Sequence, residues 1–350
     1  MNIDALSAWM REHIPDFEGP LSLHPFEGGQ SNPTVLLQTP HRRWVLRAKP
    51  GPKAQLLPSA HAIEREYRVM QALAQTDVPV PRMVALCEDE SVLGRAFYVM
   101  DHVEGRIFWD PTLPDVPQAQ RAPLYAEMNR VLAALHQVDP AAVGLADYGK
   151  PSQYFERQIQ RWSRQSLASV TEPMPEMDWL MAWLPEHIPE SARHSTRLSV
   201  VHGDFRLDNL MFHPTEPRVV AVLDWELSTL GHPLADLSYH CMPWHIPPGV
   251  FRGMGGAPFA SLGLPTEAQH MAQYCERVGW VTPDALAADW PFYLSYNLFR
   301  LAAILQGIGK RVELGTAASA HAQAAAAAAR PMAQLAQQWA QRHLSQESTR

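Results

Sequence analysis

The sequence predicts an α+β chain of two lobes. A small lobe is built on an antiparallel sheet with one main helix. A larger, mostly helical lobe follows and carries a β-hairpin. Three observations lead there. After a first helix, the first hundred residues order as strand, strand, strand, helix, strand, strand. After Asp101 helical periodicity takes over. Between Leu198 and Leu223 short β-type runs return inside the helical half. A length of 350 residues is enough to bury two cores.

The elements follow in order. Leu6, Trp9, Met10, His13 and Ile14 recur at helical spacing and predict an amphipathic first helix. Leu21 to Gln38 reads as a strand, a turn at Glu27 to Pro33, and a second strand. In Arg43 to Lys49 the side chains alternate: Trp44, Leu46 and Ala48 share one face, Val45, Arg47 and Lys49 the other. Gly51 to Pro58 reads as a loop. A helix is expected from Ser59, its N-cap, to Ala74. Strands are expected over Met83 to Glu88 and Arg95 to Met100. Asp101 to Gly105 is a connector, so the expected divisions are a lobe over 1–100, a hinge at 101–105 and a second lobe over 106–350.

In the second lobe helices are expected over Arg121 to His136, Tyr154 to Ser166, Asp178 to Trp183, Thr266 to Val278 and Trp290 to Gly309. The β-type insertion has strands at Leu198 to His202, Leu210 to Phe212 and Val219 to Leu223, with a turn at His213 to Pro217. Ala317 to Ala340 is rich in alanine and favours helix, with Pro331 expected to break or kink it.

Composition narrows the function classes. The apolar fraction is 46% and the charged fraction 19%, as in an ordinary globular protein. A net charge of −7 gives no general reason to expect a nucleic-acid partner. Cys87, Cys241 and Cys275 are odd in number and far apart, with no CxxC pair. Neither a disulfide framework nor a zinc site is indicated, which fits a reducing cytoplasm. The N-terminal segment lacks the apolar core of a secretory signal. No apolar run approaches the roughly 20 residues that span a bilayer, so no membrane partner is expected.

The chemistry lies in His202-Gly203-Asp204-Phe205-Arg206-Leu207-Asp208-Asn209 and Leu223-Asp224-Trp225-Glu226. Asp204 follows a buried strand and a glycine, which presents its carboxylate at a strand end. Such a group can accept a hydrogen bond from a hydroxyl and take its proton. Asn209 comes five residues later, the Asp-to-Asn spacing of the kinase catalytic loop. Its carbonyl can ligate Mg²⁺ without adding charge, and Asp224 ends the next strand with an anionic oxygen. Magnesium prefers one or two carboxylates with phosphate oxygens and water. Asp208 reads as a solvent-facing loop carboxylate and His202 as a brace for the loop. An isolated His-x-Asp is usually structural; the ordered set around a hairpin is far more specific.

These motifs resemble the aminoglycoside phosphotransferase and choline kinase-like family, a branch of the protein-kinase-like fold. Within it the chain is most similar to members fused to acyl-CoA dehydrogenase domains and to their stand-alone bacterial relatives. Glu27 to Asn32, Trp44 to Arg47, Ser59 to Tyr67 and Asn297 to Arg300 extend the match over nearly the whole chain. The resemblance implies a bilobal kinase-like fold and transfer of the γ-phosphoryl group of ATP, or GTP, to a hydroxyl. It implies Asp204 as catalytic base, with Mg²⁺ on Asn209 and Asp224. Gly28, Gly29 and Ser31 would cover the nucleotide phosphates. The phosphate-binding position falls at Arg47, where many kinases have lysine. Glu64 or Glu66 would pair with it. Helical spacing places Glu66 with Ile63, Met70 and Leu73 on the inward face and Glu64 on the polar one. Backbone groups between Met100 and Val103 would hold adenine.

The acceptor is less constrained. From Leu237 to Arg350 there are six acidic residues (Glu267, Glu276, Asp284, Asp289, Glu313 and Glu347) against eight arginines and lysines. That balance suits a neutral or anionic acceptor better than a polycationic aminoglycoside. Arg300, on an apolar helix one turn after Tyr296, calls for an anionic partner, either an internal carboxylate or the substrate. His240, Tyr296 and Arg300 are the candidate substrate residues. A hydroxyacyl-CoA or hydroxy acid is the acceptor that the resemblance suggests. Competing readings are a nucleotide-binding pseudokinase, an aminoglycoside phosphotransferase, a protein kinase and a metal hydrolase. A protein kinase is disfavoured because Trp225-Glu226 replaces Phe-Gly and no Ala-Pro-Glu follows. A hydrolase would need more clustered ligands than the sequence supplies.

Overall fold

A computed structural model describes residues 2–26, 32–50, 62–316 and 320–347. The chain divides into two compact units. One comprises Met1–Ile107, Ala141–Leu145 and Asn209–Ser228; the other comprises Phe108–Pro140, Ala146–Asp208 and Thr229–Arg350.

In the first unit, helix α1 (Ile3–His13) starts where the Asn2 side chain accepts hydrogen bonds from the amides of Asp4 and Ala5. Strands β1 (Ser22–Pro25), β2 (Thr34–Gln38) and β3 (Arg43–Ala48) precede helix α2 (Ile63–Leu73), and β4 (Met83–Cys87) and β5 (Phe97–Asp101) follow it. The five strands form one antiparallel sheet in the order β1-β2-β3-β5-β4. The alternation in β3 sets its two faces. Trp44, Leu46 and Ala48 join Leu6, Trp9 and Met10 of α1 and Phe97 and Val99 of β5 in one buried core. Each large apolar side chain buried there contributes about 1.5–3 kcal/mol. Arg47 takes the opposite parity and faces α2, directly across the strand pair from Tyr98.

The hairpin Leu210–Phe212 with Val219–Val222 belongs to this same unit. The Val222 amide donates to the Pro79 carbonyl at 2.8 Å, and Arg106 and Phe212 exchange two backbone hydrogen bonds of 2.7 and 2.8 Å. Gly105 allows that approach. A Cβ there would lie 2.4 Å from Met211 Cγ and 2.5 Å from the Phe212 carbonyl oxygen.

The second unit is mainly helical. Gln118–Gln137, Tyr154–Ala168, Pro175–Glu186 and Pro283–Glu313 cover the helices expected there and run longer at one or both ends, while Glu267–Val278 starts one residue later than expected, after Thr266. Thr266 and Gln269 cap one of them reciprocally. The expected start at Trp290 lay beside Pro291, but the helix begins at Pro283, capped by Thr282, and carries Pro291 inside it. The alanine-rich region forms Ala320–Ala327 and Ala329–Glu347, so the break falls at Ala328. Pro331 stands in the first turn of the second helix, where it has no amide bond to lose.

Two expectations need correction. Ser199–Val201 is not a strand of the 210–222 hairpin; it pairs antiparallel with Thr229–Gly231 within the second unit. That partner has three residues and ends in a glycine, too little to show alternation. Gly231 is needed because a Cβ would meet Tyr154 at 2.4 Å. Helix Pro233–Cys241 was not expected either. All its residues are buried, so it has no polar stripe from which periodicity could be read. No helix among the described residues is long and apolar enough to cross a membrane.

Candidate functional site

In the first unit the sheet and α2 converge on Arg47. Its Nε lies 3.0 Å from Glu66 Oε2, its Nη2 donates to Asp224 Oδ1 at 2.9 Å, and Glu226 Oε2 is 3.8 Å away. The Nε–H is not aligned on Glu66, so that contact is an ion pair rather than a hydrogen bond. Glu66 is fully buried and accepts from Asn32 Nδ2 at 2.9 Å and from the Tyr98 hydroxyl at 3.1 Å. Burial raises its carboxyl to about 7; Arg47 opposes that rise, Asp224 adds to it, and the two hydrogen bonds oppose it. Burial alone would ease the proton off Arg47, but Glu66, Tyr98, Asp224 and Glu226 hold it above its usual value. Arg47 is therefore always charged, with its head held at three points.

Helix periodicity favoured Glu66 over Glu64, and the pairing with Arg47 falls on Glu66. Glu64 instead pairs with Lys49 at a half-exposed position. Asn32, Tyr98 and Glu226 had no assigned part. Tyr98 follows from the β3–β5 register, which places it opposite Arg47 and which a single sequence does not state.

Asn209 and Asp224 lie at the same end of the hairpin. Leu210 pairs with Val222, and the Leu223 amide donates to the Asn209 carbonyl at 2.8 Å. Asp224 adopts a left-handed conformation, φ 65° and ψ 58°, which costs a non-glycine residue about 1–2 kcal/mol. The donors at this end are one carboxylate and one amide oxygen. Hard oxygen ligands of low total charge suit Mg²⁺ carried in with a nucleotide. Met100 is buried in β5 opposite Val45, and Val103 is half-buried beyond the strand end. Gly28, Gly29, Ser31 and Ser59 lie outside the described residues. The expected N-cap at Ser59 is corrected: helix α2 begins at Ile63, with Ala62 at its N-cap and no side chain capping it.

In the second unit the loop after Ser199–Val201 is fixed from behind. Asp236, on the buried helix Pro233–Cys241, accepts from the amides of His202 at 2.5 Å and Gly203 at 2.8 Å. Burial by itself would raise the Asp236 carboxyl, but His136, His202 and the Gly203 amide bring it below its usual value. Gly203 has φ +81°, and its carbonyl accepts from Arg300. The His202 ring is buried and its Nδ1 accepts from the Asp204 amide at 3.2 Å, so it braces the loop. The Asp204 carboxylate, 15% exposed, accepts from Arg206 Nε at 3.1 Å and from the Tyr239 hydroxyl.

Asp208 corrects the expectation of a solvent-facing carboxylate. It is 8% exposed and ion-paired with both Arg206 and Arg252. Arg252 comes from a turn far along the sequence, so no local spacing could have indicated it. Of the candidate substrate residues, His240 is buried, with its Nε2 3.1 Å from that of His270 and its ring edge-on to Phe205. Burial pushes its imidazole down to about 4. Tyr296 is fully buried beside Tyr154. Arg300 is also buried. No carboxylate lies within ion-pair distance of it among the described residues. It bonds the Gly203 carbonyl and lies over the rings of Trp162 and Tyr239 at 5.4 and 5.0 Å.

Two predictions follow from these contacts. Asp236→Ala strips two buried amides of their acceptor, each worth about 1–3 kcal/mol. Urea denaturation should show a lowered midpoint; a change below about 0.5 kcal/mol would contradict the bracing role. The second concerns pH. The folded pKa of Glu66, about 7, lies above the ordinary 4.5. Such a group favours folding fully below the unfolded value, and the advantage is lost as pH rises through the folded one. Glu66 therefore makes stability decline from about pH 4.5 to about pH 7, and Glu66→Gln should flatten that slope in melting curves. An unchanged slope would refute the assignment.

Comparison with known proteins gives the family. A family model described as "Phosphotransferase enzyme family" matches residues 22–270. The chain is 45% identical to mouse acyl-CoA dehydrogenase family member 10, covering 95% of this chain but 30% of that protein, so it spans under a third of the relative's length. It is 57% identical, with a TM-score of 0.87, to a crystal structure from Ralstonia eutropha JMP134 described as a candidate aminoglycoside phosphotransferase, covering 97% of this chain and 98% of that one. A microcompartment-associated aminopropanol kinase shares the fold at 19% identity and a TM-score of 0.62, over 99% of both chains. From His202–Asn209 to Leu223–Glu226, the residues that suggested phosphoryl transfer lie inside the matched region, and the chain belongs to the phosphotransferase enzyme family.

Proposed function

We propose that this phosphotransferase moves the γ-phosphoryl group of ATP, or of GTP, to the hydroxyl of a small metabolite. The observation that carries the reading is the Arg47 cluster: an always-charged guanidinium fixed by Glu66 and touching Asp224, beside Asn209. A cation held in this way is suited to nucleotide phosphates, and Asn209 and Asp224 would hold Mg²⁺ on them. The metal ion supplies neutralisation of phosphate charge when bound. Arg47 orients the phosphates from the sheet side, with Glu66, Asn32 and Tyr98 fixing its head. Gly28, Gly29 and Ser31 would cover the phosphates, and the backbone between Met100 and Val103 would hold the base.

Asp204 acts as the base. Tyr239 and Arg206 hold its carboxylate in one orientation, and Asp236 fixes the loop that presents it. From that position it orients the acceptor hydroxyl and takes its proton as transfer proceeds. The acceptor is proposed to be a hydroxyacyl-CoA or hydroxy acid. Two observations support this: the excess of arginine and lysine over carboxylates from Leu237 onward, and the acyl-CoA chemistry in the mouse relative's name. The three cysteines are free and buried, which supports a cytoplasmic setting.

Mg²⁺-ATP should raise the melting temperature of the chain, with EDTA removing the metal-dependent part. Asp224→Ala should lose that part too. Asp204→Asn should keep it while lowering turnover by about 10²–10⁴-fold. Unchanged melting with saturating Mg²⁺-nucleotide, or full turnover in Asp204→Asn, would overturn the reading.

A further inference from the structure

The second unit carries an arginine relay that runs from Asp204 to the surface. Arg206 Nε lies 3.1 Å from Asp204 Oδ2 and its Nη2 3.5 Å from Asp208 Oδ2. Asp208 in turn pairs with Arg252. The Arg252 guanidinium lies 5.3 Å from the ring centroid of Trp109 and 5.9 Å from that of Phe251. Trp109 is 64% exposed, the most exposed large apolar side chain among the described residues.

The turn that presents Arg252 is fixed and strained. Phe251 and Arg252 have φ of 31° and 56°, consecutive non-glycine residues in the left-handed region. The turn is clamped by hydrogen bonds from the amides of Val250 to Pro247, Gly253 to Val250 and Gly255 to Ile246. Gly253 is packed so closely that a Cβ would lie 2.2 Å from the Ile246 carbonyl oxygen. Backbone strain of this kind persists only where the surroundings impose it, and it clusters at ligand-contacting segments.

Charge decides what such a ligand is. Around Asp204 the described residues supply three carboxylates, Asp204, Asp208 and Asp236, and three guanidiniums, Arg206, Arg252 and Arg300; Asp236 and Arg300 are buried behind the loop, and Arg252 is the guanidinium on the exposed side, next to Trp109. A cationic acceptor approaching the half-exposed Arg252 would meet like charge there. An oxyanion would find Arg252 partly exposed, with donors left beyond the edge that Asp208 engages. The exposed Trp109 face adds an apolar wall beside it.

We propose that Arg252, stacked on Trp109 and linked through Asp208 and Arg206 to Asp204, recognises an oxyanion of the acceptor, either a carboxylate or a phosphate. This deepens the proposed function and rests on Asp204 being the acceptor end of the reaction. Arg252 is then a specificity-determining residue: it selects anionic hydroxyl compounds and rejects aminoglycosides and amino alcohols.

The test is calorimetric titration of the full chain without nucleotide, using three probes. They are 3-hydroxybutyrate, which offers a carboxylate; 3-hydroxybutyryl-coenzyme A, which offers phosphates; and 3-hydroxybutyrate methyl ester, which is neutral. At least one anionic probe should bind more tightly than the ester, and which one binds identifies the anion. Arg252→Ala should weaken that binding tenfold or more, Arg252→Lys should restore part of it, and Trp109→Ala should weaken it less. Equal affinity for the ester, no binding of either anion, or equal affinity in wild type and Arg252→Ala would overturn the proposal. Melting of the wild-type chain with Mg²⁺-ATP is read in parallel. Silence there with Arg252-dependent anion binding would reject the kinase reading and leave the anion site standing.

Discussion

The Arg47 guanidinium stands among Glu66, Asp224 and Glu226, and its head is nearly excluded from water. Taking a charge out of solvent costs several kcal/mol unless partners repay it. Here the repayment comes from three separate pieces of chain. β3 supplies the arginine, α2 supplies Glu66, and the far end of the 210–222 hairpin supplies Asp224. Removing any one carboxylate leaves the others to balance a charge whose position was set by all of them. This constraint explains why a hairpin distant in sequence packs as part of the first unit, and why Asp224 tolerates a left-handed backbone.

The second unit solves a different problem. It fixes the loop after Ser199–Val201, whose Asp204 carboxylate is 15% exposed. A buried helix gives one side chain, Asp236, to the successive amides of His202 and Gly203, while Arg300 takes the Gly203 carbonyl that follows them. The loop is thus held by its backbone, and the Asp204 carboxylate is oriented separately by Arg206 and Tyr239. Arg300 was expected to need an anionic partner. Among the described residues no carboxylate is within ion-pair distance; a carbonyl dipole and two aromatic faces offset its burial, with the more distant Asp204 charge adding to them.

What was legible in the sequence follows from what is local. The alternation of β3, the inward Glu66 on α2 and the capped helix after Thr266 are encoded within a few residues of one another, and they appear where expected. The His202–Asn209 and Leu223–Glu226 motifs were legible as phosphotransfer chemistry, which family membership supports. The unread parts depend on register or on long-range packing. Tyr98 reaches Glu66 only because β3 pairs with β5 in a particular register. Arg252 reaches Asp208 from a turn more than forty residues on. The strand Thr229–Gly231 that pairs with Ser199–Val201 is too short to show alternation, and the helix that follows lacks periodicity because its residues are all buried.

The central claim is chemical: a phosphoryl group passes from a nucleotide to a hydroxyl. Phosphorus NMR of the chain with Mg²⁺, ATP and a panel of hydroxy acids and hydroxyacyl-CoAs tests it most directly. A new phosphomonoester resonance, appearing as the γ-phosphate signal declines and absent from the Asp204→Asn variant, is the predicted result. Loss of the γ-phosphate only to inorganic phosphate, or no change with any acceptor, would contradict the account.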